Sequence, residues 1–385
     1  MLTSRISFIN YKTKKIKSTV IKKKLSDLIR DKNQIIQSLS KDYKNNFNKQ
    51  ILKKYKNSLN YRVIGVGGSS LGTKAIYNFL KHKIKKNFDF VDNLKNEKNQ
   101  NKQKKCINII VSKSGNTIET IVNSNLLIKK NNKNIFITEN KKNYLHLLAE
   151  KLKAEIVHHN NYIGGRYSVL SEVGMLPAEL MGLNINNFKQ LNYLIKNKGF
   201  FNALISNVSS TLYFINNKKF NSIILNYDDK SENLFKWYQQ LIAESLGKNN
   251  KGLLPIISNM PKDNHSVMQL YLDGIKNNFF TFFYVKDNGY KKMNNHQILS
   301  SKNYLKNKNI SDIIFAQKKA TENIFRKKNI PFRSFEINKR DEETLGELFC
   351  FFILETILIG KLLNLNPYDQ PAVELIKKET KRLLI

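Results

Sequence analysis

Two turns rich in glycine and hydroxyl groups have the composition of a phosphate-binding site. "GVGGSSLG" at 65–72 follows an apolar run, and apolar residues at helical spacing resume after it. "VSKSGNTIET" at 111–120 repeats this passage from strand to helix. It adds three hydroxyls and one positive charge, from Ser112, Lys113, Ser114 and Thr117. Because hydroxyl donors and the N–H groups of a helix N-terminus suit an anion, we predict one phosphate held between the two turns.

Each turn also has a simpler interpretation. The first can be a plain tight turn, although Ser69 and Ser70 could each add a hydroxyl donor. In the second, a hydroxyl can cap the helix, which stabilises it by about 1 kcal/mol, but capping needs only one of the three hydroxyls. Neither turn itself carries an acidic residue of the kind that a nucleotide–magnesium site requires. We therefore predict no metal there.

Three later stretches supply candidates for proton chemistry. In "GGRYSVLSEVG", Gly165 permits the close approach of a ligand and Arg166 provides a fixed positive charge. In "WYQQLIAESLGK", Gln240 and Glu244 lie one turn apart on the same face of an amphipathic helix. His265 begins a helix after a polar turn, so its ring can project into a cleft. A surface arginine and a solvated helix glutamate are the ordinary alternatives, and no Cys/His spacing indicates a metal site.

The elements around these stretches alternate between strand and helix. After a basic helical region over about 15–57, candidate strands lie at 61–66, 88–91, 106–111, 135–138 and 155–159, and further strands at 222–226, 279–285 and 332–337. This alternation predicts an α/β protein with two doubly wound, flavodoxin-like parallel-sheet domains. The predicted boundaries are 1–57 for an N-terminal helical segment, 58–194 and 195–365 for the two α/β domains, and 366–385 for a C-terminal helix.

Composition restricts the class of protein. The chain has 385 residues, 41% of them hydrophobic, and a formal net charge of +36. Its lysines are spread along the chain together with many Asn, Ile and Phe, which is typical of AT-rich codons, so we predict no nucleic-acid partner. Cys106 and Cys350 lie in apolar runs, which indicates a reducing, cytoplasmic setting.

Two further stretches bear on membranes and targeting. The most apolar one, at 348–360, is interrupted by Glu355 and is interpreted as a core helix, so we predict no membrane contact. The first 26 residues contain no acid but are Lys-rich with a lone Arg5, which favours an ordinary first helix over a transit peptide.

Six blocks in this chain resemble, in the same order, those of the glucose-6-phosphate isomerase family. They are "GVGGSSLG", "SKSGNTIET", "YIGGRYSVLSEVG", "QQLIAESLGK", "NHSVMQL" and "YDQPAVELIKK", and the resemblance spans 61–377. The first two alone would indicate only the broader sugar-isomerase (SIS) domain superfamily, which includes non-catalytic sugar-phosphate sensors. The resemblance implies two SIS-type domains and a cofactor-independent aldose–ketose isomerase that interconverts glucose 6-phosphate and fructose 6-phosphate through an enediolate.

The resemblance also implies roles for individual residues. Those implied to bind substrate are Gly68, Ser69, Ser112, Lys113, Ser114, Thr117, Gly165, Gln240 and Gln370, and those implied to be catalytic are Arg166, Glu244, His265 and Lys377. Two departures from the family pattern are Ala372, where a glycine is usual, and Asn116 in the phosphate turn.

In the implied mechanism Glu244 moves a proton between C1 and C2, and an apolar setting would make it a stronger base. Arg166 stabilises the enediolate oxygen, and His265, aided by Lys377, opens the sugar ring. Family members are homodimers, so the resemblance implies that His265 serves the active site of the neighbouring subunit, although an in-chain role is the alternative. A sugar-phosphate-binding regulator, or an isomerase that also accepts mannose 6-phosphate, remain alternative functions.

Overall fold

The computed structural model describes residues 1–13, 18–31, 33–94, 106–129, 132–287 and 291–385. Residues 15–17 and 32 of the predicted helical region lie outside them. The strands are β1 Ile6–Ile9, β2 Asn60–Ile64, β3 Asn87–Val91, β4 Ile107–Val111, β5 Lys133–Glu139, β6 Glu155–His159, β7 Asn221–Asn226, β8 Leu254–Asn259, β9 Asn278–Val285 and β10 Phe332–Ile337.

The helices separate most of these strands. They are α1 Ser18–Arg30, α2 Gln34–Ser38, α3 Lys49–Tyr55, α4 Leu71–Phe79, α5 Ile118–Leu127, α6 Tyr144–Lys151, α7 Glu172–Leu180, α8 Leu191–Leu194, α9 Lys198–Asn216, α10 Glu232–Leu246, α11 Met268–Asp273, α12 Ile310–Lys327, α13 Glu342–Leu362 and α14 Pro371–Leu383. Short 3₁₀ turns lie at Gly67–Ser69, Lys81–Lys83, Gly165–Leu170, Ile185–Phe188, Asp229–Ser231, Lys262–His265, Asn295–Gln297 and Ser300–Leu305.

The first sheet is parallel throughout, in the order β3-β2-β4-β5-β6. Numbered within the sheet this is 2-1-3-4-5, the flavodoxin-like order. The order reverses between β2 and β4, where Ile64 pairs with Ile110. In such folds ligands bind beyond the carboxyl ends of the strands at this reversal. Both glycine-containing turns follow those two strands.

The second sheet has the order β1-β10-β9-β7-β8. The strands β7 to β10 repeat the 2-1-3-4 order in parallel, which confirms the predicted pair of doubly wound domains. The fifth position is taken by β1, which pairs antiparallel with β10 through Ile6 and Ile337. An ordinary helix over the first 26 residues was therefore the wrong prediction, because Ile6–Ile9 completes a sheet edge before α1 begins at Ser18. The domain boundaries at 57/58, 194/195 and 365/366 stay predictions.

The core is continuous between the two sheets, and α13 lies at its centre. This helix is buried along almost its whole length, from Glu342 to Gly360, as predicted for its apolar run. Inside it, the Glu355 carboxylate accepts a hydrogen bond of 2.5 Å from Arg333 Nη1, so the buried charge has a partner. Within the described ranges no helix is both long and apolar enough to span a bilayer.

The C-terminal helix α14 projects from this core. Across Pro371–Leu383, a fully described stretch, no residue is buried. Leu375 and Ile376 are 69% and 70% exposed. Apolar side chains of this size are seldom left in water on one helix unless another surface covers them.

We predict that His159 makes the protein sensitive to acid. This histidine ends β6 and is 2% exposed, and burial lowers its pKa from 6.5 to about 4. Between these two pH values the unfolded chain binds a proton that the folded chain does not, so the free energy of unfolding decreases as the pH falls from about 6.5 to about 4. In the wild type, denaturant titrations should give a lower free energy of unfolding at pH 4.5 than at pH 7. In His159→Gln, this loss of free energy should be about 2 kcal/mol smaller. An unaltered difference would contradict the assignment.

Candidate active site

The first turn lies against the segment that carries Arg166. A Cβ added at Gly68 would lie 2.2 Å from the carbonyl carbon of Gly165 and 2.5 Å from the amide nitrogen of Arg166. Gly67 has φ +59, and a Cβ there would lie 2.9 Å from Gln240 Nε2. Glycine is therefore required in this turn for backbone conformation and for the close crossing of two segments. Ser69 ends the turn beside them.

Two of the three hydroxyls of the second turn contact each other rather than the helix that follows. Ser112 Oγ and Thr117 Oγ1 are 2.9 Å apart, and Ser112 is buried. Thr117 occupies the N-cap position of α5, but its hydroxyl makes no capping hydrogen bond within the described part of the chain. The capping interpretation is thus wrong for Thr117. The hydroxyl pair faces the reversal of strand order at the amino end of a helix, where an anion is favoured.

Other residues of the second turn have structural contacts. Lys113 Nζ donates a 2.7 Å hydrogen bond to the carbonyl of Asn161, and its pKa is lowered, mainly by burial. The hydroxyl of Ser114 accepts from the amide of Asn116 at 3.3 Å. The Asn116 side chain accepts from the amide of Tyr144 at 3.3 Å. The departure at Asn116 therefore faces α6.

Arg166 is the centre of a buried hydrogen-bond network. It is 2% exposed, so the alternative of a surface arginine is wrong. Its acceptors are Ser245 Oγ at 2.8 Å from Nε, Glu244 Oε2 at 3.2 Å and Gln370 Oε1 at 2.6 Å from Nη1, and the carbonyls of Pro367 at 2.8 Å and Asp369 at 3.0 Å from Nη2. These contacts use all the donors of a guanidinium group and fix its plane.

Glu244 lies where these contacts meet. Its second oxygen, Oε1, accepts a 2.8 Å hydrogen bond from Gln240 Nε2, and its side chain is 30% exposed. The expected apolar setting is wrong, because charged or amide donors reach both carboxylate oxygens. The side-chain amide oxygen of Gln240, Oε1, is buried and has no hydrogen-bond partner among the described residues.

A cavity of about 680 Å³ opens on this cluster. Glu244, Lys248, Lys251, Gln370 and Ala372 are among the residues that line it. Lys248 spans its edge through a 2.6 Å ion pair with Asp369. The carboxylate of Glu244 is therefore reachable from solvent, whereas Arg166 beside it is not.

Two of the predicted catalytic residues lie apart from the cluster. His265 is exposed in the 3₁₀ turn after β8, an edge strand, and its ring has no partner among the described residues. Lys377 lies on α14, is 59% exposed and donates to Glu374 at 2.7 Å. One chain thus brings together Gly68, Gly165, Arg166, Gln240, Glu244 and Gln370. Within the described ranges, neither His265 nor Lys377 contacts Glu244.

The sequence interpretation missed the residues that hold Arg166 in place. Trp237 Nε1 donates to the carbonyl of Arg166 at 3.1 Å. Ser245 Oγ lies 2.8 Å from the hydroxyl of Tyr167 as well as from Arg166. The single available signal was adjacency, because Ser245 follows Glu244 and Tyr167 follows Arg166.

We predict that Ser245→Ala impairs the site without unfolding the protein. The substitution leaves the buried Nε–H of Arg166 without its acceptor, which costs about 1–3 kcal/mol. Turnover should fall by roughly 5- to 100-fold, since the guanidinium loses one of the five contacts that fix its plane toward Glu244. Steady-state kinetics at a temperature where circular dichroism shows a folded variant is the measurement. Full turnover would remove Ser245 from the support of Arg166.

Comparisons with known proteins place this chain among relatives of known family. The sequence model described as phosphoglucose isomerase matches residues 14–384. A protein of Methanocaldococcus jannaschii named glucose-6-phosphate isomerase is 35% identical over 346 residues, covering 84% of this chain and 83% of that protein. A hypothetical protein of Thermus thermophilus has the same fold, with a TM-score of 0.82 at 20% identity over 95% of this chain and 94% of that one.

A second solved structure extends the likeness of fold. It is a glucose-6-phosphate isomerase from Chlamydia trachomatis, with a TM-score of 0.69 at 18% identity, covering 99% of this chain and 80% of that one. The family match extends over nearly the whole chain and includes every stretch that forms the cluster around Arg166 and Glu244. The chain therefore belongs to the phosphoglucose isomerase family.

Proposed function

We propose that this chain interconverts glucose 6-phosphate and fructose 6-phosphate by proton transfer through an enediolate. One observation carries the proposal: the Glu244 carboxylate is held between Arg166 and Gln240 at an open cavity. Beside it, Gly68 contacts the Gly165–Arg166 backbone and so joins the phosphate turns to this carboxylate. Proteins named glucose-6-phosphate isomerase among the relatives support the choice of substrate.

The phosphate binds between the two turns in this proposal. The hydroxyls of Ser112 and Thr117 and the amino end of α5 supply donors, and Ser69, Lys113 and Ser114 complete the pocket. The phosphate does not react. Its binding energy positions the sugar carbons against Glu244, and such positioning converts remote contacts into rate.

Proton transfer then follows from the cluster. Glu244 removes the proton from C2 of the open-chain aldose, and the electrons of that bond form the enediolate. The same carboxylate returns a proton to C1, and the proton of the C2 hydroxyl passes to the oxygen on C1, which gives the ketose. Arg166 is buried beside Glu244 with all of its donors used, so it stabilises the negative charge of the enediolate through its own positive charge rather than by a direct hydrogen bond, while Gln240 holds the other oxygen of Glu244. Gln370 is held at Arg166 Nη1, where it faces the same substrate.

Ring opening requires a second copy of the chain in this proposal. His265 has an exposed ring with no partner among the described residues, and Lys377 lies on the projecting helix α14. The exposed Leu375 and Ile376 on that helix support a homodimer in which another surface covers them. A dimer with two-fold symmetry would place His265 of each copy at the site of the other.

We also propose a cytoplasmic location. Cys106 and Cys350 are both free thiols, and Cys350 is fully buried. Unpaired cysteines are typical of proteins in reducing compartments. Labelling of the protein in cells with compartment-specific thiol reagents tests this location.

The activity is tested by a coupled assay. Fructose 6-phosphate is supplied, the glucose 6-phosphate formed is oxidised by a dehydrogenase, and a chelator is present throughout. We expect turnover that the chelator does not change. A folded protein that converts neither sugar phosphate would contradict the proposal.

A further inference from the structure

Lys189 is a buried lysine behind the Arg166 segment, by which we mean Gly165–Leu170. It is 2% exposed. Its Nζ donates to the carbonyl of Leu170, the last residue of that segment, and at 2.6 Å to the carbonyl of Ser38 at the end of α2. A buried ammonium group is costly unless its donors are used, so this lysine must stabilise something specific.

The charge of Lys189 has no direct ion pair in the described structure. Its Nζ lies 4.9 Å from the centre of the Tyr43 ring, and the Tyr43 hydroxyl donates to Glu172 Oε1 at 2.9 Å. Burial lowers the pKa of Lys189 to about 7, and the Glu172 carboxylate opposes that shift; the Cys350 thiol and the Tyr43 hydroxyl nearby both have raised pKa values and are neutral. The ammonium therefore contacts backbone carbonyls and a ring face rather than a carboxylate.

Tyr43 and Lys189 together hold the far end of the Arg166 segment. Lys189 binds its last carbonyl, and Tyr43 binds Glu172, the buried first residue of α7, two residues further on. At the near end, Trp237 holds the carbonyl of Arg166. The segment is thus fixed at both ends, and the Arg166 side chain extends from its near end to Glu244.

We propose that Lys189 is a positioning residue for Arg166: by holding the Leu170 carbonyl it sets the path of the Arg166 segment and so the orientation of the guanidinium toward Glu244. Lys189 touches no substrate. The inference rests on the proposed isomerase function, because it assigns Lys189 an effect on turnover.

The chain contains a matched control. Lys86 Nζ also donates to two carbonyls, those of Lys56 and Leu180, both at 2.5 Å. It lies 5.6 Å from the centre of the Tyr61 ring. The pattern of donors is the same, but Lys86 is only half-buried, and it binds the far end of α7 and no residue of the Arg166 segment.

The test compares Lys189→Met with Lys86→Met. Both variants should unfold at a lower denaturant concentration than the wild type. Lys189→Met should lower kcat by about 10- to 100-fold with KM within about twofold, since misplacement by about 1 Å costs rates of this order. Lys86→Met should keep kcat within about twofold.

Equal kcat values in the two variants, or a change confined to KM, would overturn the proposal. Wild-type activity is measured first, so failure of the isomerase proposal is seen separately.

A second variant applies if Lys189→Met does not fold. Tyr43→Phe removes the hydroxyl that donates to Glu172 at the same end of the segment and that accepts from Asn160 at 3.4 Å, while Glu172 Oε1 keeps the hydrogen bond from the Asn46 amide at 3.3 Å. The proposal expects a folded protein with a several-fold lower kcat and an unchanged KM. Wild-type kcat in folded Tyr43→Phe would contradict it.

Discussion

Glu244→Gln is expected to lower kcat by roughly 10²- to 10⁴-fold, the contribution of a general base. An amide of the same shape cannot accept the C2 proton, although its oxygen can still accept from Arg166 or from Gln240. Binding of a non-isomerisable sugar-phosphate inhibitor should change little, because the phosphate contacts lie in the two turns. Initial rates and inhibitor titrations on the same preparation separate the two effects.

The control for this variant lies on the same helix. Glu232 is in the first turn of α10 and pairs with Lys236 at 2.6 Å on an exposed face. Glu232→Gln should keep turnover within about twofold of the wild type, since exposed pairs of this kind contribute little. A Glu244→Gln enzyme as active as Glu232→Gln would remove Glu244 from the mechanism.

A randomly reassociated mixture of Glu244→Ala and His265→Ala chains should regain roughly a quarter of wild-type activity. Each variant alone has two defective sites. If His265 serves the neighbouring subunit, a mixed dimer has one site with both lesions and one intact site. Random reassociation makes about half of the dimers mixed, so about one site in four is intact. Two observations motivate this expectation. The ring of His265 is exposed without a partner among the described residues, and the turn that carries it does not contact the Arg166 cluster within the described ranges.

The experiment uses co-refolded, differently tagged chains and assays the whole mixture, and the tags prove that mixed dimers have formed. Purified mixed dimers, with one intact site in two, should show about half of wild-type activity. His296→Ala mixed with Glu244→Ala is the control, because His296 lies in an exposed turn outside the site. In that mixture every site whose Glu244 comes from the His296→Ala chain is intact, so about half of wild-type activity is expected. Proven mixed dimers of the first pair without recovered activity would place His265 in its own chain.

The parallel sheets could be predicted because their strands are continuous apolar runs followed by glycine-rich or polar turns. Two edge strands, β1 and β8, were not predicted. Ile6–Ile9 is four residues long, and its partner β10 lies near the other end of the chain, so no local pattern reports the pairing. A short strand on a sheet edge has little signal of its own, since tertiary context decides its conformation.

The site shows the same limit. Gly68, Gln240 and Glu244 were predicted from local motifs, and the structure brings them together. The predicted apolar setting of Glu244 was wrong, because its partner Arg166 lies far away in sequence and only folding places the two groups 3.2 Å apart. Lys189 gave no signal at all: one lysine among many is recognisable as buried only once Leu170 and Ser38 surround it.

The most direct test of proton transfer by Glu244 is NMR of the reaction in D₂O. An enediolate formed by a carboxylate base exchanges its proton with solvent, so deuterium should enter C2 of glucose 6-phosphate and C1 of fructose 6-phosphate during turnover. In Glu244→Gln, both isomerisation and exchange should fall together. Conversion of the two sugars at the wild-type rate with hydrogen fully retained would indicate direct hydride transfer between C1 and C2, and would contradict the enediolate mechanism.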